Sequence, residues 1–280
     1  MSENEIVPKE EKVAEAPVST GASSSVETKK DELKSDWPFQ KEVVLPSQGK
    51  WYDDKLPDGK VTIRPITVTE EKLLMARGSR GKIIDRLCEK CILSDCIPMS
   101  EMLVTDKFFL LLNLRALTYG PDYGFTLECP SCGTKFKHSV VLPDGLTVMV
   151  ATDDDVEPFD VKLPVCGKTV SLRFLRGEDE EKIESFARNQ PNVKPEDGDP
   201  TYAYRLSCYL VAIDGKQVDS LEALHFCERM IGGDSAVYRR AIADHETGVD
   251  LTINAACPSC REEVSTSIPM TSDFFQASVS

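Results

Sequence analysis

Histidine, positive charge and long apolar runs are all scarce in this 280-residue chain. The three histidines, His138, His225 and His245, are scattered, so no His-based acid–base or metal constellation is written into the order of residues. A Gly-rich phosphate loop, a His-Glu-x-x-His pair and a nucleophile elbow are all missing, and with them the usual signatures of nucleotide, metalloprotease and hydrolase chemistry. Lys and Arg number 33 against 47 Asp and Glu, a net charge of −14. A surface of that sign repels phosphates, which argues against nucleic acid and anionic membrane as partners. The longest greasy block, Phe108 to Leu112, falls far short of the roughly 20 residues of a membrane span. Met1 to Glu5 is acidic where a secretory leader has a basic start, so synthesis in the cytoplasm is the expectation.

Cysteine, by contrast, is plentiful. Ten cysteines without a secretory leader point to a reducing compartment, where thiols hold metal or pack in cores. Four of them form two Cys-Pro-Ser-Cys tetrapeptides, Cys129 to Cys132 and Cys257 to Cys260, each between short strand-like runs. A tight turn of this kind aims two thiolates at one point, and a tetrahedral zinc takes four soft ligands. Redox disulfides and inert core thiols are the competing readings, but a thioredoxin-like pair would open a helix rather than join two strands. The candidate metal ligands are therefore Cys129, Cys132, Cys257 and Cys260, holding one structural zinc with no open position for water. The 124 residues between the pairs exceed the roughly 15–20 of an ordinary zinc ribbon, so a shared metal would clamp distant parts of the chain.

Those parts look like copies. Laid without gaps, Asp106–Cys132 and Asp234–Cys260 share seven identities in 27 positions, among them Gly120 with Gly248 and Asp122 with Asp250. Upstream, Val61 to Arg64 resembles Val170 to Arg173, Glu70-Glu71-Lys72 resembles Glu180-Glu181-Lys182, and Leu45 to Lys50 resembles Leu163 to Lys168. An internal duplication follows, each unit packing on its twin. The expected fold is α+β and helix-rich, with two pseudo-symmetric repeats, each ending in a zinc-knuckle β-hairpin, and small antiparallel sheets. The expected organisation is an acidic disordered tail over 1–36, a first half over 37–150, a second half over 151–271 and a C-terminal tail over 272–280.

Within the halves, Val43 to Pro46, Trp51-Tyr52, Val61 to Arg64 and Val170 to Phe174 read as strands. Glu70 to Ala76, capped by Thr67 or Thr69, Gly81 to Leu93, Asp179 to Ala187, Thr201 to Ile213, Leu221 to Met230 and Asp234 to Asp244 read as helices, and Asp106 as the cap of one more through Leu117. Cys88 and Cys91 have metal spacing but sit on the apolar face of a predicted helix, so the core reading prevails. Cys166, Cys208 and Cys227 read as small hydrophobes. His138 is read as a surface residue or a support to the metal ligands. The run Asp153-Asp154-Asp155 lacks Ca²⁺-loop spacing and reads as a solvated loop. No catalytic constellation emerges, and an enzyme is not expected.

The order Leu45-Pro46-Ser47-Gln48-Gly49, Val61 to Thr67, Glu70 to Leu74, Arg115 to Tyr123 and Cys129 to Cys132 resembles the baseplate hub, or central spike complex, proteins of T-even-type contractile-tailed bacteriophages, over roughly 40–270. The resemblance implies a structural or assembly part in the phage tail, with other tail or hub proteins (tape measure, tail lysozyme or spike) as partners. It places the chain in the host cytoplasm during assembly, either as an assembly factor alone or as a part that stays in the virion tail baseplate. A non-viral zinc-ribbon adaptor that binds a protein partner is the alternative. A nucleic-acid-binding ribbon ranks below it because of the charge.

Overall fold

The computed structural model describes residues 39–75, 80–190, 198–268 and 272–275; the expected tail at 1–36 lies outside them. Alternation of apolar residues builds the first hairpin: β1 (Lys41–Val44) pairs antiparallel with β2 (Lys60–Ile63), and Val43, Val61 and Ile63 point into the core. Three helices follow. α1 (Val68–Leu74) starts at a capping box in which Thr67 and Glu70 satisfy each other's end of the helix. α2 (Arg80–Cys91) and α3 (Val104–Tyr119) come next. α3 is buried on most sides, which is why its sequence reads Phe-Phe-Leu-Leu-Leu without a polar stripe. The hairpin β3 (Asp122–Glu128) and β4 (Lys135–Val141) then carries the first Cys-Pro-Ser-Cys turn.

β5 (Thr147–Met149) follows, and the second half opens with β6 (Phe159–Lys162) and β7 (Thr169–Leu172). α4 (Gly177–Arg188) and α5 (Tyr202–Tyr209) lead into β8 (Leu210–Ile213) and β9 (Lys216–Gln217). α6 (Ser220–Glu228) and α7 (Gly232–His245) precede β10 (Gly248–Asp250), and the second cysteine turn joins β11 (Thr252–Ala256) to β12 (Glu263–Ser267). A short 3₁₀ turn, Ser272–Phe275, follows. Strands β6 to β9 make a four-stranded antiparallel sheet in sequence order, and the other sheets are two-stranded. The α+β, helix-rich class with small antiparallel sheets is what the sequence led one to expect.

One hydrophobic core serves both halves: Leu45, Val61 and Leu112 share it with Leu163, Val170 and Tyr238. Backbone contacts interlock the halves. The Val104 N–H donates to Leu175 O, Gly177 N–H to Met102 O and Glu178 N–H to Ser100 O. Gly177 permits this approach, because a Cβ there would lie 2.1 Å from Met99 O. The strand after the first cysteine hairpin, β5, pairs with β10, the strand before the second.

Four local expectations are corrected. Trp51-Tyr52 is not a strand but part of a turn-rich loop, with Trp51, Asp53 and Asp54 in the left-handed region at φ 67°, 47° and 59°. Asp106 is not a cap and Asp234 is not the first residue of its helix, since the two helices begin two residues earlier at Val104 and Gly232. Their carboxylates reach instead across the fold to backbone N–H groups of Ser47 and of Val165 and Cys166. The helix expected over Thr201 to Ile213 ends at Tyr209, because Val211-Ala212-Ile213 gains ladder hydrogen bonds beside β7. Phe274, in the C-terminal tail expected over 272–280, is 1 % exposed and part of the core.

Candidate metal centre

The two cysteine turns are built alike, bond for bond. In the first, Cys129 N–H donates to Thr134 O at 3.0 Å and Gly133 N–H to Cys129 O at 2.9 Å. In the second, Cys257 N–H donates to Glu262 O and Arg261 N–H to Cys257 O, both at 2.9 Å. Each turn needs a left-handed residue one place after the second cysteine. Gly133 supplies it at φ 69°, and Arg261 adopts it at φ 61° despite its side chain. The flanking strands then pair Glu128 with Lys135 and Ala256 with Glu263, the same register displaced along the chain.

This geometry brings together all four cysteines singled out in the sequence. Their sulfurs lie within 4.8 Å of one another. The shortest approaches cross between the hairpins: Cys129 Sγ to Cys260 Sγ is 3.6 Å and Cys132 Sγ to Cys257 Sγ is 3.7 Å. A disulfide needs about 2.05 Å, and all four thiols are free. A tetrahedral zinc with Zn–S near 2.3 Å separates its sulfurs by about 3.8 Å, so the donor set and its spacing suit such an ion. Cys129 and Cys257 are buried with Val264 and the half-buried Phe136 as a small apolar floor, while Cys132 and Cys260 face solvent.

Proton energetics point the same way. The hydroxyl and backbone of Thr134 hold the Cys132 thiol down to about 6. The Glu262 N–H favours the Cys260 thiolate, but the sulfurs around it, Cys132 foremost, push it up to about 12. Cys132 and Cys260 resist being thiolates together unless a cation compensates them.

The remaining candidates lie elsewhere. Cys88 and Cys91 are buried on α2, and burial pushes both thiols up to about 12, the signature of inert core groups. Cys227 is buried as expected and Cys208 is half-buried, but Cys166 is exposed, a correction: it sits in the turn after β6. His138 faces Phe125 across the β3–β4 ladder with its ring edge-on at 5.7 Å, outside the sulfur cluster. His225 is exposed, and His245 stacks on Phe159. At the acidic run, the Lys50 ammonium donates to the carbonyls of Thr152 and Asp155, taking oxygens a bound cation would use. Among the described residues, no other group of three or more His, Cys, Asp or Glu converges on one point.

Sequence reasoning missed two buried constellations. Tyr52 donates to Asp106 Oδ2 at 2.6 Å and accepts from Leu103 N–H, closing the N-terminus of α3. Arg115, fully buried, donates to Gly120 O and Phe274 O and lies over the Tyr123 ring. Both draw on the Leu-Pro-Ser-x-Gly-Lys-x-Tyr and Arg-x-x-x-Tyr-Gly-x-x-Tyr patterns of the chain. No helix among the described residues is long and apolar enough to cross a membrane. In comparisons with known proteins, no curated protein and no solved structure matches significantly. A family model for the T4 bacteriophage base plate protein does match, over residues 42–276. With that match running from β1 to the final 3₁₀ turn, the chain belongs to the T4 bacteriophage base plate protein family.

Proposed function

We propose that this protein is a structural or assembly component of the tail baseplate hub, held shut by one structural zinc on Cys129, Cys132, Cys257 and Cys260. The observation that carries the reading is the convergence of four sulfurs from hairpins 124 residues apart, in a chain of a base plate family. Four thiolates leave no site for water or substrate, so the ion would brace the fold and supply no chemistry. The partners are other tail or hub proteins, such as the tape measure and the tail lysozyme or spike. Assembly takes place in the host cytoplasm and ends in the virion tail.

The two halves, 37–150 and 151–271, are read as duplicated units related by a pseudo-twofold axis near the metal. The reciprocal contacts, first cysteine of one turn to second of the other, are what such an axis requires. Matching ion pairs support it further: Arg64 grips Glu70, and Arg173 grips Asp179, six residues on in each case. Elemental analysis of protein purified without added metal is expected to give one zinc per chain. Two ions, or none with four freely alkylated thiols, rules out the shared site. An amber mutation in the gene is expected to give filled heads without functional tails, and infectious particles from it would overturn the hub assignment.

A further inference from the structure

The second half carries an open groove where the first half is filled by its own chain. α3 and α7 both begin without a side-chain cap and both place an aspartate at their third residue, Asp106 and Asp234. Each aspartate holds the backbone of a turn that follows a Leu-Pro pair. In the first half that turn is long: Leu45 N–H closes on Gly59 O, and the loop between them brings Tyr52 onto Asp106. Leu103, the residue at the start of α3, is thereby covered to 1 % exposure. In the second half the turn is cut short, with Leu163 N–H closing directly on Lys168 O. Ile231, the residue at the start of α7, stays 57 % exposed.

What remains is a groove of about 340 Å³ with Phe226, Met230 and Ile231 on its apolar side, Lys168, His225 and Arg229 around it, and Cys166 and Asp234 at its edge, the Asp234 carboxylate being taken by the Val165 and Cys166 N–H groups. The Lys168 ammonium lies 5.6 Å from the centre of the Phe226 ring. Among the described residues, no carboxylate lies within ion-pair distance of Lys168 or Arg229. Two cations without ion-pair partners among the described residues, against one carboxylate already held by backbone N–H groups, on a chain of net charge −14 mark a place where an acidic segment is favoured rather than repelled.

We propose that this groove receives a segment of a partner protein carrying an aromatic side chain beside carboxylates. The filler in the first half has that composition, Trp51-Tyr52-Asp53-Asp54. The aromatic ring packs on Phe226, Met230 and Ile231, and the carboxylates meet Lys168 and Arg229. The groove lies at the N-terminal end of α7, whereas the cysteines follow its C-terminal end, so the proposal stands apart from the metal and hub readings.

A fluorescently labelled peptide of residues 49–59, titrated into the full chain and followed by polarisation, tests it. Saturable binding is expected with a Kd on the order of 100 µM, the scale of one anchoring ring with flanking charges. Lys168→Glu with Arg229→Glu is expected to weaken it about tenfold, and Ile231→Asp to abolish it; all three sites are exposed, so the fold survives. A peptide with Ala for Trp51 and Tyr52 is expected not to bind. Absence of saturable binding, equal binding by the aromatic-free peptide, or binding unchanged in both variants would each overturn the proposal.

Discussion

Arg64 and Glu70 show how much one residue pair carries. The guanidinium meets the carboxylate at 3.1 and 3.2 Å and also donates to Lys90 O, with side chains only 10 % and 5 % exposed. Burial alone would raise the Glu70 pKa, but Arg64 and Thr67 outweigh it and bring it down from 4.5 to about 2. The folded value lies below the unfolded one, so the pair's stabilisation is complete above about pH 4.5 and is lost as pH falls towards 2. Glu70→Gln is expected to cost about 3 kcal/mol at neutral pH, since it leaves a buried guanidinium without its counter-charge. It should also flatten the decline of stability below pH 4.5. Urea unfolding between pH 2 and 7 checks both, and an acid decline identical in the two proteins would remove this pair as its source. The cysteine turns were legible in the sequence because four residues fix their geometry and their chemistry. Asp106 was legible as important but misread in role: an acid at a helix start normally caps, and nothing local announces a partner 59 residues away.

Elements whose pattern is self-contained were read well. A threonine cap at the start of α1, the body of α4 and the two cysteine hairpins follow from residues within a few places of one another. β8 was not legible, because Leu210 to Ile213 continues the apolar run of α5 and short apolar runs suit strand and helix alike. The terminal 3₁₀ turn was missed for a related reason, since its order comes from what it lies on. Phe274 packs edge-on to Tyr123 at 5.2 Å, and its carbonyl accepts from Arg115 Nε. Phe274→Ala is expected to cost about 3–5 kcal/mol, the penalty of a ring-sized cavity. Denaturant titration measures it, and a loss under about 1 kcal/mol would mean that the turn merely rests on the core.

For the whole molecule, the cysteine cluster, the β5–β10 pair and the Leu103–Arg176 bridge all join the first part of the chain to the second. Chelation of a bound zinc is therefore expected to lower the melting temperature by about 10 °C in a single transition, because metal affinity is folding free energy. Calorimetry with and without chelator checks it, and two separate transitions would show that the halves melt independently. Chain order adds a consequence of its own. At roughly 5–20 residues per second, the ribosome makes the stretch between the two hairpins in about 6–25 s. Throughout that interval the nascent chain presents Cys129 and Cys132 with no counterparts. The cluster closes only once β12 has emerged. Closure thus distinguishes a chain that carries both hairpins from every chain that stops between them, and a message cut off in that stretch yields a molecule that cannot form the cluster.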